Sequence, residues 1–178
     1  MYKDIINFWF HEIDKSQWWK KDTEFDDLIR SRFLNIHQMA TKCELFLWRS
    51  TAAGALAEII VLDQFSRNMY RDKPESFAYD TLALALAQTA IAKGQDLELD
   101  NDQRSFLYMP FMHSESLVIH ETAVALFTES GMDSTLEFEN KHKVIIEKFG
   151  RYPHRNKILG RVSTQEEIAF LTQPGSSF

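Results

Sequence analysis

Cysteine is all but missing from this chain. Cys43 stands alone among 178 residues, which excludes an internal disulfide framework and fits a reducing compartment. Long apolar runs are missing too: no stretch approaches the ~18 consecutive apolar residues of a membrane-spanning helix. The opening residues, Met1 to Glu12, carry neither a long apolar run nor a small-residue cleavage site. The expectation is a soluble, cytoplasmic chain with no membrane partner. Positive charge is not in surplus either. The 26 acids outnumber the 20 lysines and arginines, for a formal charge of −6, which argues against nucleic acid as a partner. There are 4 prolines and 6 glycines, no low-complexity run, and no linker that marks a second domain. At this length folding buries roughly 70% of the extended chain's surface, so residues 1–178 read as one domain.

What the chain does contain is helical periodicity, and no alternating strand segment of useful length. Residues 4–13 read as a short helix with Ile5, Phe8 and Trp9 on one face, followed by Trp18 and Trp19 in a charged loop that covers one end of the core. From Asp22 to about Lys42, Phe25, Leu28, Ile29, Phe33, Ile36 and Met39 keep a 3.6-residue period behind an acidic first turn. Thr51 to about Ser66 leaves little polar face and reads as the central, buried helix. Pro74 and Glu75 open a helix that runs to Gly94, its C′ residue. After a polar loop from Gly94 to Asn101, further helices are expected from about Asp102 to near Pro110, from about Ser114 to Thr128, and over 134–149 with Gly150 at the end. Pro153 starts a short turn that Gly160 terminates, and Ser163 with Glu166 forms a capping box for a last helix ending around Thr172. The fold class is all-α, in helix pairs with short connections. No strict 34-residue repeat is present.

Three polar segments interrupt this apolar pattern. The densest is Phe149 to Arg161, with four arginines and lysines, one histidine, one asparagine and two glycines in thirteen residues. The second, Asp63-Gln64-Phe65-Ser66-Arg67-Asn68, closes the central helix. The third is His113-Ser114-Glu115. All three are expected to meet in one polar site, with the C-terminal basic turn folding back on Asp63. Asp63 extends an apolar stripe, and a buried carboxylate needs a partner. Arg67, one turn on, can supply it, and Gln64 and Asn68 repeat that spacing on the adjoining face. His120 and His142 also fall on core faces, where a satisfied buried imidazole is the commoner outcome. Neither forms a zinc-binding pattern and Cys43 has no companion, so no metal or other cofactor is expected.

Ser114 as helix N-cap with Glu115 in the first turn explains those two residues without chemistry. That leaves His113 as the acid–base candidate, beside Glu115 and His154. Arg67, Arg71, Arg151, Arg155 and Arg161 sit by helix ends or turns. Guanidinium groups there suit either a carboxylate or phosphate ligand, or pairing with Asp63, Asp80 and Glu115 of the chain itself.

The residues Leu62-Asp63-Gln64-Phe65 with Arg67-Asn68, Phe106-Leu107-Tyr108 with Pro110, and His113-Ser114-Glu115 resemble domain-of-unknown-function family 924, a bacterial family. His142, Phe149-Gly150-Arg151, Pro153-His154-Arg155-Asn156, Leu159-Gly160-Arg161 and the Pro174-to-Phe178 tail extend the likeness over essentially the whole chain. The resemblance implies a tetratricopeptide-like α-α superhelix of antiparallel helix pairs, and no established activity. An acid usually precedes the His113 position in that family, where this chain has Met112, and a glutamine is usual where it has His120.

Three functional readings follow. The first is a binding module, with Asp63, Gln64, Arg67, Asn68, Arg71, Arg151, His154, Arg155, Asn156 and Arg161 around an anionic small molecule or acidic peptide. The second is a small hydrolase or transferase with His113 or His154 as general acid–base. In the third the polar clusters are architectural. Oligomeric state is open in all three.

Overall fold

The computed structural model describes residues 1–177, so Phe178 of the tail lies outside the described residues. The chain is all-α. Its helices are α1 (Tyr2–Asn7), α2 (Thr23–Thr41), α3 (Ala52–Met69), α4 (Asp80–Ala92), α5 (Asn101–Met112), α6 (Leu117–Glu129), α7 (Asp133–Phe149) and α8 (Gln165–Leu171). They divide into two compact units. The first comprises residues 1–71 and 75–110, the second residues 72–74 and 111–178.

In the first unit α3 is the centre, packed against α1, α2 and α4. From Leu56 to Ser66 every residue is buried, so the sequence has no polar stripe to spare there. Thr51 caps its start by accepting from the Gly54 N–H. Gly54 lets the chain double back closely, since a Cβ there would sit 2.1 Å from the Trp48 carbonyl oxygen. Rings from three segments fill the space around α3: Phe8 and Trp9 meet Phe25, Phe33, Phe65 and Phe106. Trp18 and Trp19 both lie against Phe106, although Trp19 keeps 65% of its surface exposed.

Several boundaries differ from the periodicity. The first helix begins at Tyr2 and continues as a π-helical turn over Phe8–Glu12. The wider turn brings Phe8 and Trp9 together into the core, at 0% and 1% exposure. α3 runs on to Met69, because Arg67 and Asn68 find partners instead of water. Pro74 opens only a 3₁₀ turn, Pro74–Ser76, and α4 starts separately at Asp80. Gly94 does close α4, at φ 71°. α5 passes through Pro110 to Met112. Losing one ladder bond at proline costs about 3 kcal/mol, and burial of Phe111 and Met112 offsets a similar amount at roughly 1.5–3 kcal/mol per side chain.

The second unit is built on α6 and α7, which pack against each other across the short loop 130–132. Ile145, Ile146 and Tyr152 form its core, with Phe149 and Phe170 against them. Gly150 takes the left-handed conformation, φ 66°, that ends α7 and turns the chain into the basic segment. α6 starts at Leu117 rather than Ser114. Neither Ser114 nor Glu115 is helical, so the expected cap is not there. The capping box sits one residue beyond expectation, on Thr164 and Glu167.

Candidate functional site

Within each unit the polar segments have definite partners. In the first unit Asp63, fully buried, receives Arg67 Nη1 at 2.9 Å and Gln64 Nε2 at 2.6 Å. The same guanidinium reaches both oxygens of Asp80, at 3.0 and 3.1 Å, and so ties α3 to α4. Asn68 and Arg71 turn instead to Asp26 on α2, at 2.6–2.8 Å. Asp26, a first-turn acid of α2, thereby ties that helix to α3.

His37 and Ser66 form a buried pair, 2.8 Å apart, that looks like a base and its nucleophile. The hydrogen positions exclude that role. Ser66 Oγ donates to the Leu62 carbonyl at 2.6 Å, so the imidazole must donate to the hydroxyl rather than take its proton. Burial also pushes His37 down to about 4.

In the second unit the other two segments meet. The 3₁₀ turn Pro153–Arg155 follows α7, and Glu115 approaches it from the stretch before α6. Glu115 Oε1 accepts the Tyr152 N–H at 2.7 Å, and its two oxygens receive Arg161 at 2.6 and 2.9 Å. Burial works against its ionisation, but the Arg161 fork and the Tyr152 N–H outweigh it and hold the carboxyl below the usual range. Such a carboxylate is a weak base, which removes Glu115 from the acid–base candidates. Arg161 also donates to Asn156 Oδ1 and the Tyr152 carbonyl, and Asn156 Nδ2 holds Ser163 Oγ at 3.0 Å. Arg151 grips both oxygens of Glu167, at 2.7 and 2.9 Å, and anchors α8.

Around Tyr152 the chemistry changes from carboxylates to imidazoles. The rings of His120, His142 and His154 lie 6.3, 5.8 and 5.5 Å from the Tyr152 ring, and the Arg155 guanidinium sits over it at 4.6 Å. Arg155 Nη2 donates to the His113 carbonyl at 3.0 Å. His142 is buried and donates from Nδ1 to the Phe138 carbonyl at 2.8 Å. Burial first, then the nearby His113, His120 and His154, push it down to about 3. Four of the chain's six histidines therefore belong to one cluster. His113 and His154 are half-buried, while His120 and His142 are buried.

Two members of this constellation, Tyr152 and Glu139, were not anticipated. Glu139, fully buried, meets His120 Nδ1 at 2.6 Å. A signal for it existed: Glu139, His142, Ile146 and Phe149 step by three and four along α7, whereas Phe138 is 53% exposed. Among the described residues no group of three or more His, Cys, Asp or Glu side chains is placed to hold a metal ion. No described helix is long and apolar enough to cross a membrane.

The model of a bacterial protein family of unknown function, DUF924, matches residues 5–175. The chain belongs to this family. A solved structure of a protein of unknown function from Agrobacterium tumefaciens is similar at 38% identity, covering 96% of both chains, with a TM-score of 0.91. No curated protein matches. DUF924 membership thus fixes kinship and fold, and leaves the role of the imidazole cluster to be argued from its chemistry.

Proposed function

We propose that this protein is a cytoplasmic helical binding module of tetratricopeptide-like build, whose ligand meets the second unit at His113 and His154. The ligand is an anionic small molecule or an acidic peptide. The observation that carries this is the meeting of His154 and Arg155 at the Tyr152 ring, where the Arg155 guanidinium also donates to the His113 carbonyl and the residues His113 and His154 are half-buried. An imidazole can donate to an anion, and a guanidinium in a shielded place adds a field that water screens poorly. Arg67, Arg71, Arg151 and Arg161 each grip a carboxylate of the chain and belong to the frame in this reading. Those same pairs favour the architectural reading for the Asp63, Asp26 and Glu167 clusters.

Thermal-shift titration of the whole protein with inorganic phosphate and with an acidic peptide tests the proposal. Saturation at 100 times Kd stabilises by about 2.7 kcal/mol, which for a chain this long raises Tm by roughly 5–10 °C. His154→Ala and Arg155→Ala should each abolish that rise. A rise preserved in both variants, or no rise with any anion, contradicts it.

A further inference from the structure

Glu139 and His120 join α7 to α6 with no water in reach, since both side chains are fully buried. The tautomer of His120 is fixed from outside the pair. Its Nε2 lies 2.8 Å from the Ser114 carbonyl, and a carbonyl can only accept, so Nε2 carries a hydrogen. The Tyr152 hydroxyl, 3.2 Å from the same nitrogen, donates its own proton to the Met112 carbonyl at 2.6 Å. It therefore offers Nε2 a lone pair and nothing more. Between His120 Nδ1 and Glu139 Oε1, 2.6 Å apart, there is room for one proton.

That proton can rest on either atom. On Nδ1 it makes an imidazolium facing a carboxylate; on Oε1 it makes a neutral acid facing a neutral ring. The far oxygen decides. Glu139 Oε2 is buried and receives no hydrogen bond. An ionised carboxylate spreads its charge over both oxygens, and leaving one of them without a donor in a dry place is far costlier than leaving a carbonyl oxygen so.

We infer that Glu139 is a neutral carboxylic acid that donates its proton to His120 Nδ1, and that this proton is a structural constituent holding α6 against α7. Burial pushes the Glu139 carboxyl above its ordinary 4.5, against the smaller opposing pulls of His120 and Lys143. Lys143, one turn along α7, has its ammonium 3.5 Å from Glu147. His142 from α7 and Tyr152 from the segment after it also face the pair, with Arg155 over the tyrosine ring. Removing the proton sets two acceptors face to face at 2.6 Å, so the latch opens as pH rises through the folded value of the carboxyl. With the folded carboxyl raised, its contribution to stability is full below 4.5 and is lost as pH rises through the folded value.

Infrared difference spectroscopy and imidazole nitrogen-15 NMR of the whole protein at neutral pH test the inference. A protonated-carboxyl stretch that E139Q removes is expected, together with a neutral His120 ring protonated at Nε2 alone. E139Q, whose amide donates to Nδ1 as the acid does, should hold Tm within about 3 °C of the parent and flatten the fall of Tm as pH rises above 4.5. An imidazolium His120 with both nitrogens protonated, and no carboxylic-acid band, overturns the inference even if E139Q fails to fold.

Discussion

His142 is held neutral by its surroundings, and this makes it an acid-sensitive point. Its folded value near 3 lies below the ordinary 6.5, so the unfolded chain binds a proton that the folded chain refuses. Stability should therefore fall as pH drops from 6.5 towards 3, by at most about 1.4 kcal/mol per pH unit from this ring. Chemical denaturation across that range checks it, and His142→Leu should flatten the slope. The other decisive residue is Arg161, whose fork serves Glu115, Asn156 and the Tyr152 carbonyl together. Arg161→Lys keeps the charge but cannot span both oxygens of Glu115. It should cost about 1–3 kcal/mol, measured by denaturant midpoint at constant slope. The sequence made the pairing of Arg67 with Asp63 legible, because a buried acid with an arginine one turn away leaves few alternatives. It did not reveal that Glu115 leaves its helix. Cap propensity for Ser114 and Glu115 is worth about 1 kcal/mol, while two charge-assisted bonds from Arg161 and one from the Tyr152 N–H offer more. Local preference lost to a partner 46 residues away.

At the scale of elements, α3 shows how little freedom a buried helix leaves. Alanine is the better helix former by about 1 kcal/mol, so propensity alone predicts that Gly54→Ala stabilises. The Trp48 carbonyl, 2.1 Å from the missing Cβ, is backbone and cannot swing aside. The substitution should instead destabilise by about 1–3 kcal/mol, the usual cost of overpacking, lowering Tm and leaving the second unit's histidine signals in place. Helix existence was readable almost throughout, because apolar spacing survives sequence noise. Ends were less so. α5 overruns Pro110 because its last two residues have a core to enter, a fact that no local rule carries. The stripe of α7 passes through Glu139 and leaves Phe138 exposed for the same kind of reason. Hydropathy ranks the phenylalanine first, and only the imidazole waiting on α6 makes the carboxyl the better buried group. The C-terminal cap slid by one residue because Thr164 fits the same signature as Ser163, and Glu167 had Arg151 to hold.

For the whole molecule, these local charges sum to a pH profile bounded on both sides. Arg151 above all holds the Glu167 carboxyl near 2, below its ordinary 4.5. Its contribution is present above 4.5 and lost as pH falls towards 2, so α8 should loosen in acid. Amide exchange at residues 165–171 as a function of pH reads that loss, and Glu167→Gln should remove its pH dependence. On the other side, the inferred Glu139 proton contributes stability that is lost as pH rises through its folded value. Between them lies the range in which the proposed ligand would meet the imidazole cluster. The most direct measurement of that claim is a nitrogen-15 NMR titration of the histidine side chains with inorganic phosphate, repeated with an acidic peptide. The account predicts saturable shifts at His113 and His154 with either or both anions, while His37, buried against Ser66 in the first unit, stays unmoved. Unperturbed His113 and His154 in the folded protein under both titrations would contradict it.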